Sequence, residues 1–326
     1  MKAVLCKDWG LPETLVVEDV PSPVAGPGEV LIEVHAAGVN FPDTLIIQKK
    51  YQYQPELPFS PGGEVAGVVK AVGEGVKAFA PGDRVLASST WGGYAQEIAV
   101  KAERTMPIPD GMDFVTASAY VLAYGTSLHA LKDRAKLAAG ETLLVLGAAG
   151  GVGISAIEIG KAMGARVIAC ASSDDKLALC RERGADETIN YATEDLRERI
   201  KLLTNGKGPD VIYDPVGGPY TEPAFRSIGW EGRHLVVGFA AGEIPKLPLN
   251  LALLKSASVV GVFWGAFLQR DQAVTRQHLR DLFELYTSGK VKPPVTKTYK
   301  LEEAAQALRD VMERRVKGKV AILPRG

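Results

Sequence analysis

Hydrophobic positions change their rhythm along the 326-residue chain. From Met1 to about Leu122 they fall in short β-branched runs, one holding Leu31, Val34 and Val39, another Val65 to Val72, a third Arg84-Val85-Leu86. Turn signals separate the runs: Gly26-Pro27-Gly28, Pro61-Gly62-Gly63, Gly73-Glu74-Gly75, Pro81-Gly82-Asp83 and Gly92-Gly93. Each run is too short to overcome the nucleation cost of a helix, so the pattern predicts a mostly β domain closed as a partly open barrel. From roughly Ala123 to Val262, apolar strands alternate with helical stretches, the mark of a doubly wound parallel sheet. The pattern puts strands at Thr142–Leu146, Arg166–Ala169, Val211–Tyr213, Arg233–Val237 and Val259–Val262. Beyond residue 262 come amphipathic helices at Gln277–Ser288 and Glu302–Glu313 and a strand at Lys319–Leu323, read as a return to the first domain. The expected class is α/β, with one domain made of residues 1–122 and 263–326 and the other of 123–262.

Composition narrows the partners. At 46% hydrophobic and 23% charged the chain can bury a substantial core. Its 38 basic residues balance 38 acidic ones, leaving no net field to attract nucleic acid or an anionic membrane. Cys6, Cys170 and Cys180 lie far apart in sequence or in unrelated contexts, against both a disulfide framework and a thiolate zinc cluster. No apolar stretch reaches the ~20 residues that span a bilayer, and Met1 to Leu5 runs straight into a strand. The cytoplasm is the expected location, with no membrane partner.

The sharpest local signal is the strand Leu143-Leu144-Val145-Leu146 followed by Gly147-Ala148-Ala149-Gly150-Gly151-Val152-Gly153 and the helical run Ile154 to Met163. Glycines let the backbone approach a pyrophosphate, and the helix N-terminus supplies N–H donors and a positive dipole end. A glycine triplet alone is an ordinary turn; flanked by strand and helix it predicts a dinucleotide site. The next strand ends at Cys170-Ala171-Ser172-Ser173-Asp174-Asp175-Lys176. Where NAD enzymes carry an acid for the ribose hydroxyl, Ala171 and Ser172 leave room for a 2′-phosphate, with Lys176 one turn on to pair with it. This favours NADPH. The alternative is a solvated Lys176 with Asp174 or Asp175 as ribose acid, although both aspartates suit a helix N-cap.

These pieces, with Gly38-Val39-Asn40-Phe41-Pro42-Asp43, Pro61-Gly62-Gly63-Glu64-Val65-Ala66-Gly67-Val68-Val69, Val72-Gly73-Glu74-Gly75-Val76, Gly82-Asp83-Arg84-Val85, Tyr124-Gly125-Thr126 and Asp214-Pro215-Val216-Gly217-Gly218, occur in an order that covers essentially the whole chain. The chain resembles the zinc-free quinone oxidoreductase branch of the medium-chain dehydrogenase/reductase superfamily. The resemblance implies a GroES-like β-barrel domain plus a Rossmann doubly wound parallel sheet. Zinc alcohol dehydrogenases of that superfamily carry a catalytic cysteine where this chain has Asn40, and the histidine of a Gly-His-Glu motif where it has Gly63. Their structural-zinc cysteine quartet is absent between Ala87 and Lys101, and none of His35, His129, His234 and His278 has a partner at ligand spacing in the sequence. No metal is expected.

By the same resemblance, Asn40, Tyr51 and Thr126 are the catalytic candidates, Asn40 and Tyr51 facing substrate and Asn40 and Thr126 beside the nicotinamide. Gly150, Gly151 and Val152 should hold the pyrophosphate, and Ser172, Lys176, Tyr191 and Arg314 the adenine-side phosphate. Phe239, Phe263, Trp264 and Gly265 should close over the nicotinamide. Each has a plain alternative: Tyr191 caps a strand, Phe239 is core, Arg314 is a solvated surface residue. Leu45 stands where relatives of the bacterial quinone reductase type often carry a second pocket tyrosine, which implies a more apolar pocket.

The implied reaction is hydride transfer from NADPH to a quinone, in which Tyr51 or Asn40 need only hydrogen-bond the developing oxyanion. An α,β-unsaturated ketone or enoyl thioester is the alternative acceptor, with Tyr51 as proton donor. A reading of another class is an NADPH-binding protein with vestigial catalysis. There is no Ser/His/Asp set and no Gly-x-Ser-x-Gly elbow. A homodimer through the edge near Val259–Val262 is expected, since an open edge exposes unpaired backbone groups.

Overall fold

The computed structural model describes residues 1–270 and 272–326, with side chains for all of these but 272 and 273. The chain divides into two compact units, Met1–Leu122 with Pro293–Gly326, and Ala123–Lys292. Residues 263–292, which the sequence pattern placed with the first domain, are counted in the second. Side-chain pairing explains the difference: the helix Gln272–Thr287 sets Asp281 Oδ2 2.6 Å from Lys132 Nζ, and His278 Nε2 2.9 Å from Asp133 Oδ2.

The first unit is built on the strand Glu29–Val39, whose long β-branched run can serve three neighbours. Along one side it pairs antiparallel with Glu64–Val72. Its other side is shared, Glu97–Lys101 pairing the first half and Lys319–Leu323 the second. The remaining order runs outward through Val295–Lys300 on one side and through Arg84–Ser88 and Thr105–Pro107 on the other. Bulges between Leu31 and Ile32 and between Val34 and Ala36 let the long strand bend. The inward row Val30, Ile32, Val34, Val65, Val69, Val85, Val320 and Ile322 forms the core. The register that sets Val320 opposite Val39 also brings Lys319 beside the end of the central strand, at Asn40.

The second unit is a six-stranded parallel sheet in the order Glu187–Asn190, Arg166–Ala171, Thr142–Val145, Val211–Asp214, Arg233–Val236, Ser258–Gly261. Numbered along the chain the order is 3-2-1-4-5-6, that of a dinucleotide-binding sheet. The hydrophobic pattern marks five of these strands. Glu187–Asn190 escapes it because Thr188 and Asn190 interrupt its apolar run, yet Thr188, Ile189 and Asn190 are all buried beside Arg166–Ala171. The strand order reverses between Thr142–Val145 and Val211–Asp214, which creates a crevice at their carboxyl ends. Among the described residues, no helix is long and apolar enough to cross a membrane.

Candidate functional site

At that crevice the turn after Thr142–Val145 is held by steric need. Gly147 has φ 57°, and a Cβ there would lie 2.6 Å from Val216 Cγ2. A Cβ on Gly153 would lie 2.5 Å from Gly147 O and 2.6 Å from Ala148 O, so the helix Gly151–Ala162 packs onto the turn with no space for a side chain. Ile154 N donates to Gly150 O at 2.8 Å. The N–H groups of Gly151, Val152 and Gly153 precede this first intrahelical bond, and no side chain caps them. Three donors therefore sit at the positive end of a 12-residue helix, an anion cradle.

Buried hydroxyls brace the cradle from behind. Ser127 Oγ donates to Val152 O at 3.1 Å and lies 2.8 Å from both Ser155 Oγ and Tyr213 Oη. Across the crevice Asp214 shapes the Pro215–Gly218 turn: its Oδ1 accepts from Val216 N and Gly217 N at 2.9 Å each, and its Oδ2 from Thr221 Oγ1 at 2.6 Å. Burial alone would raise the Asp214 pKa; His234, Thr221 and the Gly217 N–H outweigh it and hold the carboxyl below its ordinary value. Phe239 packs on this turn, since a Cβ on Gly217 would come within 2.9 Å of Phe239 Cδ1.

One strand away, Ser172, Lys176 and Tyr191 gather. The register sets Asn190 opposite Ala171, so Tyr191 and Ser172 leave neighbouring strands at the same end. Lys176 Nζ donates to Ser172 Oγ at 3.4 Å, and the Tyr191 ring packs against that of Tyr220 at a tilt of 37°, centroids 4.2 Å apart. The helix Asp174–Glu182 takes Ser173 as its N-cap residue, not an aspartate as the sequence suggested. Asp174 Oδ1 instead accepts from Asn190 Nδ2 at 2.9 Å, and Asp175 Oδ1 from Lys176 N at 2.8 Å.

Thr126 lies half-buried on the helix Val121–Leu128. Trp264 is buried on the adjacent Gly125, where a Cβ would come within 2.5 Å of Trp264 Cζ2, while Phe263 is 44% exposed. His129 Nδ1 and His278 Nε2 both approach Asp133 Oδ2, at 2.7 and 2.9 Å, a meeting that sequence spacing hid. Their rings pack with Trp264 and Phe267. Arg314 belongs to the first unit, in a left-handed conformation that ends the helix Ala304–Met312 with its N–H on Val311 O. Among the described residues no group of three or more His, Cys, Asp or Glu could hold a metal ion.

Asn40 stands in the first unit inside a cluster of buried polar side chains with Asp43, Glu64, Tyr94 and Lys319. Asp43 Oδ2 accepts from Asn40 N and Tyr94 Oη, each at 2.8 Å. Glu64 Oε1 accepts from Leu122 N at 2.9 Å. Lys319 Nζ donates to Val39 O at 3.1 Å and to Asn40 Oδ1, and lies 3.9 Å from Glu64 Oε2. Burial pushes the Asp43 carboxyl up to about 6, against its hydrogen bonds, and raises Glu64 as well. Tyr51 is half-buried beside Tyr53; burial, then the Asp43 charge, raises its phenol pKa. Of this cluster the sequence singled out Asn40 alone for a site role. A lysine opening the apolar strand Lys319–Leu323 was the available signal for the rest.

The model of the zinc-binding dehydrogenase family matches residues 151–283, and that of the alcohol dehydrogenase GroES-like domain residues 26–110. A quinone oxidoreductase-like protein 2 homolog of Nematostella vectensis is 38% identical over 325 residues, covering 98% of this chain and 88% of that protein. Rat quinone oxidoreductase is 35% identical over 326 residues, 99% of this chain and 98% of that one. The chain belongs to the quinone oxidoreductase branch of the medium-chain dehydrogenase/reductase superfamily. The solved structure of Escherichia coli quinone oxidoreductase complexed with NADPH shares this branch's fold with a TM-score of 0.92 and 29% identity, covering 99% of this chain and 100% of that one. The GroES-like and Rossmann units expected from the sequence are those of the branch, and the chain is an oxidoreductase by family.

Proposed function

We propose that the protein is an NADPH-dependent, zinc-independent quinone reductase. The observation that carries the reading is the uncapped N-terminus of the helix Gly151–Ala162 at the switch point of the sheet, with Ser172 and Lys176 one strand away. The residues present fit the nucleotide. Gly151 and Val152 hold the pyrophosphate through backbone donors, Gly150 lets it approach as the side-chain-free N-cap, its own N–H being turned to Gly147 O, and Lys176 with Ser172 and Tyr191 takes the 2′-phosphate. The E. coli relative complexed with NADPH supports the choice of cofactor. Phe239, Phe263, Trp264 and Gly265 with Thr126, all of the second unit, take the nicotinamide. When bound, NADPH supplies the hydride.

The chain's own work is positioning and oxyanion support. Tyr51 hydrogen-bonds the acceptor oxygen, its phenol kept neutral by a raised pKa. A quinone's product anion is aromatic, so no stronger acid is required. The edge strand Ser258–Gly261 pairs on one side only, with Val259 48% exposed, which supports a homodimer through that edge. We assign the enzyme to the cytoplasm on its three buried free cysteines. Loss of NADPH absorbance on adding quinones tests the function. Turnover with a quinone supports it, and no consumption across a broad acceptor panel overturns it.

A further inference from the structure

We propose that the Lys319 ammonium is the resident cation of the buried cluster in the first unit and a positioning residue that locks the Asn40 side chain, so that this site is built without a metal. The inference rests on the function proposed above and adds a residue to it. A lysine nitrogen only donates, so the Asn40 atom it meets must be the amide oxygen. That fixes the carboxamide: Nδ2 is directed at Glu64 Oε2, 3.3 Å away, and at Gly38 O, 3.4 Å away. Both amide hydrogens are thereby committed inside the protein. Asn40 then shapes the site without donating to an oxyanion, and that task falls to Tyr51.

Charge accounting leads the same way. Two carboxyls, Asp43 and Glu64, are buried with one ammonium; the other side chains of the cluster, Asn40 and Tyr94, are neutral, as is Tyr51 beside it. Burial lowers the Lys319 pKa, and the charges of Glu64 and Asp43 oppose that loss. The donor set does not fit the zinc that one matched family description implies. Asn40 Oδ1 is taken by Lys319, Glu64 Oε1 by Leu122 N and Asp43 Oδ2 by two donors. A Cβ at Gly63 would already lie 3.0 Å from Ser89 O, and a divalent ion here would meet an ammonium that cannot leave its buried seat.

Two measurements decide it. Wild-type enzyme incubated with zinc chloride and desalted is expected to hold substoichiometric zinc and keep its rate in a chelator. One zinc per chain with activity lost on chelation overturns the assignment. In the second, Lys319→Met is combined with Glu64→Gln, so that Glu64 is not left as a carboxylate without its cation, while Asp43 keeps its two donors, Asn40 N and Tyr94 Oη. If Lys319 positions Asn40, this double variant melts like wild type and binds NADPH within about twofold, while kcat falls about 10- to 100-fold. Adding Asn40→Ala then costs little more. Recovery of wild-type kcat, or an Asn40→Ala effect that multiplies in full, overturns it. Should the double variant not fold, the wild-type protein decides: Asn40 amide hydrogens are expected to resist solvent exchange, and fast exchange overturns the proposal. If wild type consumes no NADPH with any acceptor, the functional reading fails, while zinc content and amide exchange still judge Lys319.

Discussion

Replacing Lys176 with Ala separates the two nicotinamide nucleotides by a single phosphate. Lys176 Nζ stands 3.4 Å from Ser172 Oγ at the carboxyl end of Arg166–Ala171, where the fold has no acidic side chain on the strand itself. A charge-assisted hydrogen bond to a phosphate contributes about 1.5–3 kcal/mol. Lys176 is half-buried, and solvent screening puts the expected loss in the lower half of that range. At 1.4 kcal/mol per factor of ten, NADPH affinity should fall about 10- to 40-fold. NADH lacks the phosphate, so its affinity should stay within about twofold. Fluorescence titration of both nucleotides into wild type and variant measures the pair, and salt should weaken only the wild-type preference. Ser172→Asp should act in the same direction by setting a carboxylate against the phosphate. Equal losses for NADPH and NADH, or none for NADPH, would refute the assignment of this corner.

Tyr51→Phe should lower kcat with a quinone at least about 10-fold, less than a full oxyanion donor because the aromatic product needs little support; with an enone the loss should be greater, since the proton source goes too. Rates equal to wild type with both acceptors would remove Tyr51 from the chemistry. Asp43, raised to about 6 from 3.8, binds its proton more tightly folded than unfolded. Its contribution to stability is therefore full below pH about 4 and lost as pH rises through about 6, some 3 kcal/mol in all. Thermal melts should show Asp43→Asn gaining stability relative to wild type across that window; a constant difference would contradict the burial argument. Val259→Lys, on the exposed edge of Ser258–Gly261, should shift the mass in light scattering from dimer to monomer. An unchanged mass would place any interface elsewhere.

The parts of the fold that were legible in the sequence are those fixed by local periodicity. Thr142–Val145 followed by glycines announces itself because a fully buried strand and a close helix approach leave few residue choices. Glu187–Asn190 does not, because Arg181 satisfies Thr188 and Asp174 satisfies Asn190, letting polar residues lie inside a sheet. Residues 263–292 fall in the second compact unit where the pattern put them with the first, for a related reason: an amphipathic helix states which face is buried, not against which unit. The cofactor-side candidates Ser172 and Lys176 follow directly on the legible strand Arg166–Ala171, whereas Tyr191 joins them only through the pairing of Glu187–Asn190, the strand that the pattern missed. The Asn40 cluster was hidden because Lys319 reaches it through the pairing of Lys319–Leu323 with Glu29–Val39, a contact spanning 279 residues to Asn40. Such a pairing leaves no trace in local spacing.

Titrating NADPH and NADH into the purified protein tests the central claim, that the turn opening at Gly147 cradles a nicotinamide dinucleotide. The account predicts saturable binding of both, NADPH the tighter, with the preference shrinking as salt is raised. No affinity for either nucleotide would contradict it.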